Sequence, residues 1–407
     1  MESKITIIDA IMGSGKSTFL INEVSKNSHK KYLIVLPTLK EIERYHNQLS
    51  NFIIYDPKNY GHGKLHSLHK LLVAGNSILT THELIRRSSI ETQDLLKKQD
   101  YILIIDECLN CIEYYDRLTQ DDKVMLLSKG LVQIDAKGCM GWNPNNEHYI
   151  GRYSPEMQLC KQESLYTLSA KTLKHIYWLF PRRFFECFEK VIIATYIWKG
   201  SIQRKYFEWH NINYDHTTLH DGKLVKYNEA LEYDVRRQLK SLISICDIDK
   251  LNVIGKDKTA LSNSWYKRNK EEDIVFERLR NNVSNYLRNV IGATSKRIIW
   301  TTYKSYKQAV QGDGYKKSWI ACNQKATNKY AQRDTLAFLC NIYMDVKINT
   351  FLTTHGLIVD KDLYSLSELL QWIWRSAIRT GKPINIYVPS SRMRNLLTRW
   401  LECKEVG

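Results

Sequence analysis

The sequence predicts an α/β protein built on parallel sheets that are covered by helices on both faces. Short, almost continuous apolar runs alternate with helical stretches along both halves of the chain. A glycine-rich segment ending in Gly-Lys-Ser follows the first of these runs. With 407 residues, of which 43% are hydrophobic, the chain is long enough for more than one domain. We expect a first domain over residues 1–218 and a second over residues 219–407.

The first half of the chain alternates strands and helices. Its apolar runs are flanked by turn residues and are too short for buried helices, so they indicate strands of a parallel sheet. The segment 108–190 lacks this regular alternation, and we interpret it as an insert in the first domain. The predicted strands cover residues 5–8, 32–36, 77–82, 101–105 and 188–196.

The segment Ala10–Thr18 has the spacing and context of a phosphate-binding loop. It lies between a predicted strand and a predicted helix, which is the arrangement that such loops require. Glycine lets backbone N–H groups approach phosphates, and the helix N-terminus adds a partial positive charge. Lys16 could reach the β- and γ-phosphates, and the Ser17 hydroxyl could bind Mg²⁺. The predicted nucleotide-binding residues are Gly13, Ser14, Gly15, Lys16, Ser17 and Thr18.

Two carboxylates, Asp106 and Glu107, follow the predicted strand at 101–105. Ligands of open α/β sheets bind at the carboxyl ends of strands. Asp106 is therefore a candidate for holding Mg²⁺, and Glu107 for orienting or deprotonating an attacking water. The alternative is a solvated pair of acids with no chemical role.

The second half also alternates strands and helices but has no phosphate-binding loop of its own. A helix is predicted over 366–378, where Gln371, Arg375 and Arg379 are spaced by four residues and would share one face. This face is either functional or a solvated basic surface. The other predicted elements are strands at 250–254, 297–302, 319–322 and 383–388 and helices at 274–289 and 333–339.

These motifs together resemble superfamily 2 helicases. Ala10–Thr18 and Ile104–Glu107 resemble motifs I and II, and Gln371–Arg379 resembles motif VI, with Trp374 where the family usually has glycine. The run from Lys325 to Leu339 resembles motif V and its following helix in helicase-like proteins of bacteriophages. The resemblance implies two RecA-like lobes that hydrolyse ATP with Mg²⁺. It further implies that Gln371 contacts nucleotide and that the catalytic residues are Lys16, Glu107, Arg375 and Arg379.

In that superfamily, short segments at strand ends contact the nucleic-acid backbone. Hydroxyls and backbone N–H groups suit phosphate contacts that do not depend on sequence. Taken alone, most of the corresponding residues here are ordinary turn formers. The resemblance implies nucleic-acid contacts at Pro37, Thr38, Thr81, His82, Thr195, Thr302, Thr327 and Asn328.

The net charge of +17 favours a polyanionic partner, most simply nucleic acid. Asp-Glu-Cys-Leu at 106–109 departs from the tetrads of the well-known RNA-helicase subgroups, so DNA is preferred over RNA. Arg182 and Arg183 either lie on the nucleic-acid path or form a solvated pair. No apolar run approaches the roughly 20 residues of a membrane span. Nine cysteines without a disulfide pattern, and a start without a signal peptide, predict a cytoplasmic protein.

The resemblance also implies a monomer that works in phage replication or recombination, with proteins of those processes as further partners. Three other functions stay open. The chain could be a duplex-DNA translocase or remodelling ATPase that does not separate strands. It could be a packaging ATPase, although that class needs a nuclease domain with clustered acids. It could also be a nucleic-acid-binding module whose phosphate-binding loop is only structural.

Overall fold

The computed structural model describes residues 3–270, 272–323 and 329–406. The chain folds into two compact units. The first comprises residues 1–9, 16–226 and 345–359, and the second comprises residues 10–15, 227–344 and 360–407. The short segment 345–359 therefore belongs to the first unit, although it follows most of the second unit in sequence.

The strands and helices of the first unit begin and end as follows. The strands are β1 Ile5–Asp9, β2 Lys31–Leu36, β3 Ile78–Thr81, β4 Tyr101–Asp106, β5 Ile112–Tyr114, β6 Val132–Ile134, β7 Met140–Trp142, β8 Leu165–Thr167, β9 Ile176–Leu179, β10 Lys190–Thr195, β11 Asp215–His220 and β12 Lys223–Lys226. The helices up to residue 226 are α1 Lys16–Lys26, α2 Leu39–Gln48, α3 Lys64–Val73, α4 His82–Arg86, α5 Ile90–Lys97, α6 Gln120–Ser128, α7 Ser154–Lys161, α8 Arg183–Glu186 and α9 Ile202–Trp209.

Within the described residues, the main sheet of the first unit has seven strands in the order β12-β11-β1-β10-β4-β2-β3. All neighbours are parallel except β11 and β12. Ile104 of β4 pairs with Ile34 on one side and Ile192 on the other, so β4 is a central strand. The predicted strands of the first half are confirmed, because their side chains are buried on both faces of the sheet. The carboxyl ends of β1, β4 and β10 consequently meet at one edge.

The segment predicted to be an insert forms two small antiparallel sheets. One has the order β5-β9-β8, and the other is the hairpin β6-β7. The returning segment 345–359 packs on the first of these sheets through its helix. The Tyr177 hydroxyl donates to the Lys347 carbonyl over 3.1 Å, and the rings of Tyr177 and Phe351 lie 4.7 Å apart. The insert is thus held by a segment distant in sequence.

The second unit is a smaller α/β layer around a four-stranded parallel sheet in the order β13-β16-β15-β14, counted over the described residues. Its strands are β13 Ile243–Ile245, β14 Ile298–Thr301, β15 Thr335–Phe338 and β16 Ile384–Tyr387. The remaining helices of the chain are α10 Tyr233–Leu242, α11 Asp249–Asn252, α12 Asn263–Arg268, α13 Asp273–Ser284, α14 Lys307–Val310, α15 Val346–Thr354 of the returning segment, α16 Lys361–Ile373 and α17 Ser391–Leu401.

Three predicted elements of the second unit were wrong. Residues 250–254 form a helical turn and not a strand, because the sheet strand is the earlier run 243–245. Residues 319–322 make only an isolated bridge from Trp319 to Trp300. Residues 335–338 are a central strand and not a helix, buried between β14 and β16. A short apolar run is compatible with either a buried helix or a buried strand, and here pairing with neighbouring strands determines which one forms.

The predicted helix over 366–378 was also wrong at its end. α16 ends at Ile373 with Trp374 as its C-cap, and a separate 3₁₀ turn covers Ala377–Thr380. Ser376 between them is extended, with φ −92° and ψ −170°, and its hydroxyl donates to the Ile373 carbonyl over 2.7 Å. Such a local bond competes with helix continuation. Arg375 and Arg379 therefore do not share the face of one helix.

Candidate nucleotide site

The phosphate-binding loop connects the end of β1 to the start of α1. Gly13 and Gly15 have φ of 85° and 87°, in the left-handed region that favours glycine. A Cβ on Gly15 would meet no described atom within 4 Å. Lys16 is the first residue of α1, and the backbone N–H of Ser14 donates to the Ile11 carbonyl over 3.2 Å. The loop thus offers an open backbone at the amino end of a helix.

Asp106 ends β4 and is the centre of a polar cluster. Its Oδ2 accepts hydrogen bonds from the Ser17 hydroxyl at 3.1 Å and the Tyr45 hydroxyl at 3.2 Å. The Arg44 guanidinium lies 3.8 Å from the same oxygen and also pairs with Glu41. Burial, reinforced by the Asp106 charge, raises the pKa of Tyr45 well above its usual range, so its hydroxyl stays a donor. Ser17 and Asp106, the two predicted magnesium ligands, are therefore neighbours.

Glu107 follows directly in an unusual backbone conformation. Its φ is 69°, in the left-handed region, and its N–H donates to the Ala194 carbonyl of β10 over 2.9 Å. Non-glycine residues rarely adopt this conformation, and such strain is found preferentially at functional sites. The adjacent Cys108 lies 3.2 Å from the Thr195 hydroxyl. Burial raises the pKa of the Cys108 thiol to about 12, so it is protonated and is no candidate nucleophile.

The sequence reasoning missed a second buried carboxylate, Asp9, at the end of β1. Its side chain is 1% exposed, accepts a hydrogen bond from the backbone N–H of Trp198 at 3.0 Å and lies 3.1 Å from the His216 Nε2. It also missed Arg44 and Tyr45, whose spacing on α2 is typical of a core-facing helix. For Asp9, its position at the end of a strand could have indicated it.

In the second unit, the predicted residues lie around the end of α16. The Gln371 amide donates to the Ser367 hydroxyl over 3.3 Å. Arg375 is 6% exposed, whereas Arg379 on the 3₁₀ turn is exposed. A Cβ on Gly13 would lie 3.6 Å from Nε1 of Trp374, so the indole lies close to the phosphate-binding loop.

The predicted nucleic-acid residues have varied surroundings. The Thr38 and Thr81 hydroxyls cap α2 and α4, each accepting a backbone N–H at 3.3 Å, and Pro37 precedes the first of these caps. The His82 Nε2 lies 3.0 Å from the Asp106 carbonyl. Thr302 is fully buried. Thr327 and Asn328 lie outside the described residues.

The loop and the Asp106 cluster fit a magnesium nucleotide. Mg²⁺ in phosphate sites takes only one or two protein oxygens and completes its shell with phosphates and water. The Ser17 hydroxyl and Asp106 carboxylate supply such oxygens, beside a loop open to phosphates. Across residues 3–270, 272–323 and 329–406, no group of three metal-binding side chains forms a cage, and a site of this kind does not need one.

Comparisons with known proteins establish the family. Models described as the YonV middle domain and the YonV C-terminal Rossmann-like domain match residues 112–178 and 237–401. The SPbeta prophage-derived YonV of Bacillus subtilis (strain 168) is 36% identical over 416 residues, covering 98% of this chain and 99% of that protein. The chain belongs to the YonV family. The middle-domain match, residues 112–178, lies within the segment 108–190, and the C-terminal match falls largely on the second unit.

The YonV fold is similar to solved XPD structures. An apo form of XPD has a TM-score of 0.53 at 11% identity, covering 98% of this chain and 95% of that one. Xpd4 of S. tokodaii has a TM-score of 0.50 at 12% identity, covering 97% and 93%. At such low identity the likeness shows the fold alone, an α/β fold that the chain shares with these XPD structures. In the part of the chain that is described, no helix has the length and apolar character to cross a membrane.

Proposed function

We propose that this YonV-family chain is an ATP-driven nucleic-acid helicase. The observation that carries the proposal is the hydrogen bond from the Ser17 hydroxyl to Asp106, 3.1 Å long, beside a phosphate-binding loop. A hydroxyl at the start of a helix and a carboxylate at the end of a buried strand provide adjacent oxygens for Mg²⁺. The α/β fold that the chain shares with the XPD structures supports the same reading.

Each predicted site residue has a role in the proposal. ATP supplies the phosphoanhydride bond that is hydrolysed. Gly13–Thr18 hold its phosphates, with Lys16 neutralising their charge, while Ser17 and Asp106 hold Mg²⁺. Glu107 orients the attacking water and accepts its proton. Arg379, with Arg375 and Gln371 on the same stretch of chain, stabilises the charge that develops on the γ-phosphate.

The proposed track is nucleic acid, with DNA preferred over RNA. The net charge of +17 supports a polyanionic partner. The prophage origin of the Bacillus relative supports a phage-type protein acting in replication or recombination. The protein is proposed to act as a monomer in the host cytoplasm, where ATP is available.

A strand-displacement assay tests the proposal. A labelled strand annealed to a longer DNA should be released in the presence of ATP and Mg²⁺ but not by the Glu107→Gln variant. Release by that variant would contradict the proposal. If wild-type protein hydrolyses ATP on duplex DNA without releasing the strand, the chain is a translocase or remodelling ATPase instead.

A further inference from the structure

The YonV middle domain contributes to a cavity that the nucleotide site does not use. Its volume is about 470 Å³, within the range of small-ligand pockets. We call it the hairpin cavity, because strands β6 and β7 form one wall. The other walls come from β8, from the turn before α8 and from the end of α9. Its lining includes Asp135, Lys137, Tyr166, Arg182, Trp209 and His210.

Aromatic rings form the inner part of the hairpin cavity. The rings of Tyr166 and Trp209 meet edge to face with centroids 5.0 Å apart. The Trp209 ring also packs against two rings of the returning segment, with centroid distances of 5.2 Å to Phe351 and 4.9 Å to His355. This packing fixes a large aromatic surface at the cavity wall. Such surfaces bind planar rings, and stacking on them is the usual way in which proteins hold single nucleic-acid bases.

A buried polar atom also lies in this wall. The Nε2 atom of His210 is buried and has no hydrogen-bond partner among the residues that the structure describes. Burial lowers the pKa of His210 to about 4, so the ring is neutral at pH 7. A buried polar group without a partner is destabilising, and a ligand with a polar edge would satisfy it. A nucleobase has both a planar face and a polar edge.

The cavity wall carries two cations, Lys137 and Arg182, and two acids, Asp135 and Glu163. Lys137 and Arg182 are exposed at its rim, and both lower the pKa of His210 further, which shows their field inside the cavity. Each of the two acids has hydrogen-bond or ion-pair partners within the protein. Asp135 accepts the backbone N–H groups of Lys137 and Cys139 at 2.8 Å each, and Glu163 pairs with Arg183 at 3.2 Å. Two cations beside an aromatic wall match a nucleotide, with its base inside and its phosphate outside.

A second cavity of about 640 Å³ adjoins the first. It also has Arg182 and His210 in its wall, and its other side is formed by Ser3, Lys4 and the 211–213 turn. Because the two cavities share residues, a chain of linked nucleotides could continue from one into the other. This continuity favours a strand over a free nucleotide.

We propose that the hairpin cavity binds one nucleotide of a single-stranded nucleic acid, with the base against Trp209 and Tyr166 and the phosphate at Lys137 and Arg182. This inference rests on the proposed function and names a place on the enzyme where the strand is held. It also assigns Arg182 to the nucleic-acid path and leaves Arg183 to its ion pair with Glu163.

The test is a binding titration of the full chain in the absence of ATP, with a fluorescently labelled oligo(dT) strand. Lys137→Ala combined with Arg182→Ala should weaken binding by about tenfold or more, because two phosphate contacts are lost. The slope of log affinity against log salt should fall by about 0.7, the value for one neutralised phosphate of a single strand. The matched control, Lys129→Ala with Arg117→Ala, removes two exposed cations that do not line the cavity and should change affinity by less than about threefold.

Trp209→Phe tests where the base lies. Phenylalanine keeps an aromatic ring against Phe351 and His355, so the fold should persist. Oligo(dT) should quench the intrinsic tryptophan fluorescence of the wild-type chain, and this quenching should be smaller in the variant. Equal quenching in both proteins would place the base elsewhere and overturn the proposal.

Three further outcomes would overturn the inference. They are equal loss of affinity in the cavity and control variants, unchanged affinity in the cavity variant, and thymidine monophosphate binding as tightly as the strand. Because the titration contains no ATP, it can succeed when hydrolysis fails. Conversely, the cavity variants can bind the strand normally while nucleic acid still stimulates ATP hydrolysis. The binding proposal and the helicase proposal can therefore be refuted independently.

Discussion

Replacing Asp106 with asparagine should lower stability by an amount that the structure allows us to work out. The carboxylate is 13% exposed and accepts hydroxyl hydrogens from Ser17 and Tyr45 at 3.1 and 3.2 Å. Asparagine keeps the shape and one acceptor but loses the charge. Bonds to charged groups contribute about 1 kcal/mol more than neutral ones. Since both contacts are slightly longer than an average O–H···O bond, we expect Asp106→Asn to cost about 1–2 kcal/mol in total.

A double-mutant cycle isolates the bond between Tyr45 and Asp106. Tyr45→Phe removes only the hydroxyl of a fully buried ring and should cost about 1 kcal/mol. Asp106→Asn removes the charge-assisted part of this bond, which Tyr45→Phe also removes, so the double variant should be less destabilised than the sum, by about 0.5–1 kcal/mol. Urea unfolding at neutral pH measures all four proteins. If the losses of unfolding free energy in the two single variants add up to that of the double variant within about 0.3 kcal/mol, the interaction between Tyr45 and Asp106 is refuted.

The same variants separate stability from catalysis. Asp106→Asn removes the charge proposed to hold Mg²⁺, so ATP hydrolysis should fall by about 100-fold or more even where the protein is fully folded. Tyr45→Phe leaves that charge in place and should reduce the turnover by less than about tenfold. Similar turnover losses in the two variants would contradict the assignment of Asp106 as the metal ligand.

Three further predictions follow from individual groups. Lys16→Ala should abolish ATP hydrolysis while circular dichroism shows an unchanged fold; normal turnover would refute the phosphate contact. Arg379→Ala should retain binding of a fluorescent ATP analogue but lose about 10³-fold or more in hydrolysis, and an unchanged rate would move the role to another residue. Burial raises the pKa of Tyr45 and, to about 12, that of Tyr101, while unfolded tyrosine titrates near 10. The stabilisation that comes from keeping these two hydroxyls protonated is complete below about pH 10. It is lost as the pH rises through their pKa values in the folded protein, so the free energy of unfolding should fall across about pH 10–12. Tyr101→Phe should flatten this decline, and a decline identical to wild type would contradict the assignment.

The central sheet of the first unit could be predicted because its strands are continuous apolar runs with clear turns between them. β1, β2, β4 and β10 are of this kind, and β1, β4 and β10 end in the polar residues Asp9, Asp106 and Thr195. Parallel strands bring those ends to one edge, so the closeness of Ser17 and Asp106 followed from topology and not from their separation in sequence.

The second unit was harder for a physical reason. The strand β15 is a short buried run of four residues that is extended because it pairs with β14 and β16. Residues 250–254 form a helical turn because the preceding run takes the sheet position. α16 ends three residues before Ser376, whose hydroxyl bonds to the carbonyl of Ile373, the last residue of that helix. The hairpin cavity joins the insert to α9, and the returning segment that supports Trp209 is more than a hundred residues away. No local pattern encodes such contacts.

The measurement that tests the central claim most directly is the rate of ATP hydrolysis without nucleic acid and with single-stranded DNA, duplex DNA or RNA. Glu107→Gln serves as the blank, because it removes the proposed base and preserves the shape of the side chain. A nucleic-acid motor should show Mg²⁺-dependent hydrolysis that DNA stimulates strongly and that the variant lacks. Hydrolysis that is indifferent to all three polymers, or is equal in the variant, would contradict it.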